Sequence, residues 1–333
     1  AGACTIDNAL TFSADSNSGK GLDFDDNVTI SGNITISADP IFDFDSNTLT
    51  YSGNAFNVGA NTLTMTGTGS FTNSNDITLN DVDSLIELAG CTLAKLNQTA
   101  DSNANKGIDV ATNASTVTTF TSGGNSRIDL GANLTITDDF DLADNTMILS
   151  GTSTLTGGEI TLNNVDSLIK ASDACTIGND LTFSADSNSG KGLDLDANVV
   201  ISGDITMSAD PIVDFNTNTI LYQGVAVDVG ANTLTFLGSG KFDNSGNNFN
   251  LNHADSIIDI SGSTVSNVNQ GATSNANKGI TIRTSAATIT TFTSGADSRI
   301  DLGANLTVTD AFNLGANTMI LSGTNTLDGG EIT

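Results

Sequence analysis

The chain has no tryptophan, two prolines, one histidine, three cysteines and only ten lysines and arginines. Each scarcity excludes something. Proline removes a backbone donor, so its near absence suits continuous β structure; Pro40 and Pro211 also occupy equivalent positions of a repeat. With His253 as the single histidine, a Ser/His/Asp triad or a histidine metal site has little to draw on. Three cysteines allow no complete internal pairing, and Cys4, Cys91 and Cys175 read as small buried core residues. Thirty-eight acids against ten bases give a formal charge of −28, which repels nucleic acid and anionic membrane surfaces. The same charge suits divalent cations or a cationic partner. Of the acids only Glu87, Glu159 and Glu331 are glutamate, so the acidity rests on aspartate, a turn former. No run of 18 apolar residues offers membrane insertion as a helix, and no long i, i+3, i+4 apolar stripe offers a soluble helix.

What the chain does have is repetition. LTFSADSNSGKGLD stands at Leu10–Asp23 and again at Leu181–Asp194, 171 residues later. Each half divides once more, with boundaries near residues 1–85, 86–171, 172–257 and 258–333. The SNxxKG motif marks the quarters with Lys20, Lys106, Lys191 and Lys278, and Cys4, Cys91, Cys175 and Ser263 share one quarter position. Inside each quarter a shorter unit recurs, as in FDFDSNTLTY at Phe42 and IDLGANLTI at Ile128. An array at such periods reads first as a scaffold.

The unit alternates with period two. In Leu134–Ile136 the apolar residues share one side and threonine takes the other, the pattern of a half-buried strand. Asn, Asp, Gly and Ser fill the corners. The expected fold is all-β: a parallel β-solenoid, specifically a right-handed β-helix, of roughly 16 coils, forming one continuous body about 75 Å long at ~4.8 Å per coil. Four β-sandwich modules of about 86 residues are the alternative. The unit asparagines Asn27, Asn47, Asn61, Asn133, Asn145, Asn198, Asn218, Asn232, Asn305 and Asn317 are expected to form ladders of stacked amides along the axis.

Candidate sites are few. Alternate aspartates on one strand share a face, and stacked coils bring more within reach. Asp23, Asp25, Asp43, Asp45, Asp139, Asp141, Asp194 and Asp196 are therefore candidate calcium ligands. Lys20, Lys106, Lys191 and Lys278 are expected to build structural turns and to neutralise stacked aspartates, with Arg127 and Arg299 acting alike. Acidic groups that recur with the repeat do not form one unique cluster, so no catalytic residue is assigned.

Units such as IDLGANLTI and LTGGEITLNN resemble, in style and over the whole chain, repeats of bacterial surface and secreted β-helix proteins of the filamentous-haemagglutinin and autotransporter-passenger type. The resemblance implies an extracellular or cell-surface protein with an adhesive or structural role. Two functions compete: a building block of a filament, sheath or surface layer whose partners are copies of itself, and the stalk or binding region of a giant adhesin with a glycan or cell-surface partner. A polysaccharide-active enzyme needs a non-repeating groove, and an ice-binding solenoid needs a flat threonine array that the uneven unit spacing disfavours. The closing GGEIT matches Gly157–Thr161, so the expectation is a piece of a longer array, or one that joins end to end with another copy.

Overall fold

The computed structural model describes residues 4–17, 21–244 and 246–333. Among these are 41 strands and no helix. The chain divides into two compact units, residues 1–160 and 161–333.

Each unit is a parallel β-solenoid. In the first, seven strands from Leu22–Asp23 to Thr146–Gly151 stack in chain order on one face. In the second, eight strands from Leu168–Ala171 to Met319–Gly323 do the same. That makes fifteen turns, against the roughly sixteen expected. The parallel pairing sets the sandwich alternative aside, because sandwiches are antiparallel.

Alternation does what period two requires. In Thr62–Thr66, Leu63 and Met65 are fully buried while the three threonines face outward. Uneven unit spacing does not disturb the stack. Thr48, Ser70, Thr92, Thr116, Thr135 and Thr156 pair in register on successive turns, although the intervals range from 19 to 24 residues. The corners absorb the difference. Gly240 stands at one such corner: a Cβ there would lie 1.9 Å from the Asn218 carbonyl oxygen, so the chains can approach only without a side chain. Pro40 and Pro211 directly precede the strands Ile41–Asp43 and Ile212–Asp214, and their carbonyls still accept the N–H of Thr64 and Thr235 at 3.0 Å.

The interior is mostly apolar, and each unit holds an aromatic cluster. Phe71 meets Phe42, Phe44, Tyr51 and Phe56 in the first. Phe242 meets Phe215, Tyr222, Phe236 and Phe249 in the second. Cys91 and Cys175 are buried, and desolvation pushes both thiols up to about 11, well away from the reactive thiolate. Cys4 departs from the expected burial. It is exposed, on a strand, Cys4–Ile6, whose register partner is Val28–Ile30.

Candidate metal centre and the polar ladders

Asp-Phe-Asp places two carboxylates outside and one phenyl ring inside. Phe24 and Phe44 are buried and stack at 5.6 Å with an interplanar angle of 7°. That stack, with the register Asp23 to Asp43, sets the pair Asp23/Asp25 beside the pair Asp43/Asp45 on the next turn. Asp45 adopts a left-handed φ of 50°, and its N–H donates to Asp43 Oδ1 at 3.2 Å. Asp43 thus serves its own turn. Asp23, Asp25 and Asp45 each offer an oxygen within 4.8 Å of the other two, and all three are exposed. Three hard oxygen donors on an open surface, with water completing the shell, match the preference of Ca²⁺.

The other candidate aspartates behave differently. Asp194, Asp196 and Asn216 are the counterparts of Asp23, Asp25 and Asp45 one repeat on. There the Lys170 ammonium lies 2.9 Å from Asp194 Oδ2 and 2.9 Å from Asp196 Oδ2. The Asn216 amide donates to Asp194 Oδ1 at 3.2 Å. Hydrogen bonds to Asp194 and Asp196 hold the Lys170 pKa above its ordinary range. At this position Lys170, from the preceding turn, supplies the cation. Asp139 and Asp141 join no three-carboxylate group among the described residues; Asp139 Oδ1 instead accepts the Glu159 N–H at 2.7 Å.

The unit asparagines fall into distinct geometries, and their partners are backbone groups rather than one another. Asn27, Asn133, Asn198 and Asn305 are exposed, and each Oδ1 accepts the N–H of the threonine 21 residues later (Thr48, Thr154, Thr219, Thr326) at 2.8–3.0 Å. Asn47, Asn145, Asn218 and Asn317 are half-buried, and each Nδ2 donates to a carbonyl 23 residues earlier, on Phe24, Ser122, Leu195 and Ser294. Asn61 and Asn232 close local turns onto the Val58 and Val229 carbonyls at 2.8 and 3.0 Å. Corner backbone that leaves the β ladder needs such partners. Side chains on adjacent turns supply them.

Lys20 lies outside the described residues. Lys106, Lys191 and Lys278 do build turns: their N–H groups donate to the Asn103, Asn188 and Asn275 carbonyls at 2.9–3.2 Å. The glycine that follows each is left-handed, at φ 97°, 91° and 101°. Among the described residues none of these three lysines forms an ion pair, so the expected neutralisation of aspartates is not seen at them. Among the described residues the lysines and arginines that do pair, Lys170, Lys241 and Arg283, stand on strands or at a strand end. Arg127 and Arg299 brace the lysine turns, donating Nε–H to the Ser102 and Ser274 carbonyls at 3.2 Å.

Two features escaped the sequence reading. Glu87, Asp109 and Asp129 stack in register on three successive turns. Burial, then the charges of Asp129 and Glu87, raise the Asp109 pKa above its ordinary value. Asp259, buried on the strand Ile257–Ile260, pairs with Arg283. The recurring acid in IEL, IDV and IDL was the available signal for the column; nothing short of the register could reveal the pair. No known protein family, curated protein or solved structure matches this chain.

Proposed function

We propose that this chain is a non-catalytic structural repeat protein of the cell surface or extracellular space, a β-solenoid building block that associates with copies of itself into a filament, sheath or layer. The observation that carries the reading is self-complementarity. Equivalent residues stack on one another turn after turn: Thr29 on Thr50, Asp23 on Asp43, Leu134 on Leu155. A surface built this way is its own template, because a parallel strand edge pairs with any strand of the same pattern. The likeness in repeat style to filamentous-haemagglutinin and autotransporter-passenger repeats supports the extracellular setting.

At a net charge of −28, copies repel one another unless cations screen them. Calcium at Asp23, Asp25 and Asp45 would reduce that repulsion locally. The test is negative-stain electron microscopy of the purified chain with calcium and with chelator. Fibres or sheets of uniform width are the expected result. Particles that stay single under both conditions favour the adhesin-stalk reading instead.

The calcium site is tested separately by titration calorimetry. The expected dissociation constant is about 10⁻⁴–10⁻³ M, the range of open extracellular sites. Asp45→Asn, which copies Asn216, is expected to weaken binding about tenfold, a loss of ~1.4 kcal/mol. An unchanged isotherm in that variant would remove Asp45 from the site.

A further inference from the structure

The SNxxKG and SRIDLG motifs converge on one cavity. In the second unit Lys278 and Arg299 line a hollow of about 140 Å³ together with Asn277, Thr281, Asp301 and Ile320. The register sets the lining: Thr281 pairs with Asp301 and Asp301 with Ser322, while Arg299 pairs with Ile320. Beside it Gly279 closes against the next turn, where a Cβ would lie 2.5 Å from the Arg299 carbonyl oxygen.

The lining of this hollow carries two cations and one carboxylate. Among the described residues neither Lys278 nor Arg299 forms an ion pair, although acids outnumber bases 38 to 10. The first unit shows what changed. There Lys106 and Arg127 are the counterparts of Lys278 and Arg299, and the carboxylates Glu87, Asp109 and Asp129 stack on successive turns. In the second unit Thr281 replaces Asp109, and Asp259, which replaces Glu87, is taken by Arg283. Two cations then face one carboxylate, Asp301, whose Oδ1 accepts the Ser322 hydroxyl at 3.2 Å. The lining residues sum to one positive charge.

We propose that this cavity binds a single carboxylated sugar, such as a hexuronic acid residue of a glycan. Arg299 and Lys278 meet the carboxylate, the guanidinium offering the fork that planar carboxylates match. Asp301, Asn277 and Thr281 meet ring hydroxyls. Ile320, 40% exposed, meets the apolar face of the ring. Asp301 disfavours a phosphate dianion by like-charge repulsion, and the volume admits one ring. The site stands whether or not the chain polymerises.

The test uses the full chain with galacturonate, galactose, acetate, glutamate and phosphate as separate probes, read by saturation-transfer NMR and titration calorimetry. Galacturonate is expected to bind with a dissociation constant of about 1 mM, some tenfold tighter than any of the other four. Lys278→Gln and Arg299→Gln are expected to weaken it at least tenfold. Thr281→Asp, which restores the acid of the first unit and leaves both cations in place, is expected to do the same. Lys106→Gln, in the first unit, is expected to change nothing. Equal binding of galactose, or phosphate or glutamate binding as tightly as galacturonate, overturns the proposal. So does full binding by Thr281→Asp with an unchanged melting curve.

Discussion

Truncating Phe242 to alanine is expected to destabilise the second unit by about 3–5 kcal/mol, the range for a large aromatic removed from a packed core. Phe242 is 1% exposed and sits at the centre of its cluster. Its ring lies 4.7 Å from Phe249, 5.6 Å from Tyr222, 5.7 Å from Phe236 and 6.3 Å from Phe215. The hole cannot close easily. The strand Lys241–Asp243 is hydrogen-bonded to Thr219–Tyr222 on one side and to Thr264–Gln270 on the other, so the backbone holds the neighbouring rings apart. In a unit of this size such a loss lowers the melting temperature by roughly 6–20 °C. Phe242→Leu keeps most of the apolar volume and is expected to cost less than half as much. Calorimetric melting of the two variants checks this. A drop below about 2 °C for the alanine variant would show that the cluster does not anchor the unit. Because repeat arrays couple mainly through nearest neighbours, the alanine variant is also expected to broaden the transition.

The fold was legible because one pattern, repeated, has few ways to bury itself. Alternation in TLTMT, glycine and asparagine at the corners and the lack of helical stripes all point to stacked strands, and Leu63 and Met65 lie inside as that pattern requires. Spacing was the misleading signal. Unit asparagines at intervals of 12, 14 and 20 residues look irregular, but they belong to different corners with different partners, as Asn27 and Asn47 show. The turns themselves keep register. Convergence of Asp23, Asp25 and Asp45 could be read from DFDD and DFDS, since alternate residues share a face and neighbouring turns adjoin. The capture of Asp194 and Asp196 by Lys170 could not. It depends on which residue some 24 positions away comes alongside, and spacings of 19 to 24 leave that open until the register is known. The described motif lysines form no salt bridge for a related reason: a turn motif specifies the backbone around the lysine, not the carboxylates its side chain can reach.

Replacing Arg283 with methionine is expected to cost about 2–3 kcal/mol at neutral pH and to make the second unit's stability depend more steeply on acid. Asp259 is 1% exposed at its side chain, whereas Arg283 is 61% exposed and covers it from the solvent side. Burial raises the Asp259 pKa above its ordinary 3.8, and the Arg283 charge and hydrogen bond pull it back only in part. The sign follows from proton counting. With the folded pKa above the unfolded one, the folded state binds more protons between the two values, so stability falls as pH rises through that window. Above the window the full cost of the buried charge remains. Removing Arg283 deletes the main opposing influence, moves the folded pKa further up and widens the window toward neutrality. The cost lies below the ~3–5 kcal/mol of a fully buried pair because water can reach the carboxylate where the arginine stood. Denaturant unfolding at about pH 7.5 and pH 4.5 is expected to show the Arg283→Met deficit shrinking in acid as Asp259 takes up its proton. Adding Asp259→Asn is expected to restore most of the loss and flatten the pH response. A deficit that is the same at both pH values would mean that Arg283 acts through packing of its aliphatic stem rather than through the charge of Asp259. The first unit carries the complementary solution: Ala111 stands where Arg283 does, and the longer Glu87 accepts the Thr64 hydroxyl at 2.7 Å. Where the acid can reach a neighbouring hydroxyl, no arginine is needed.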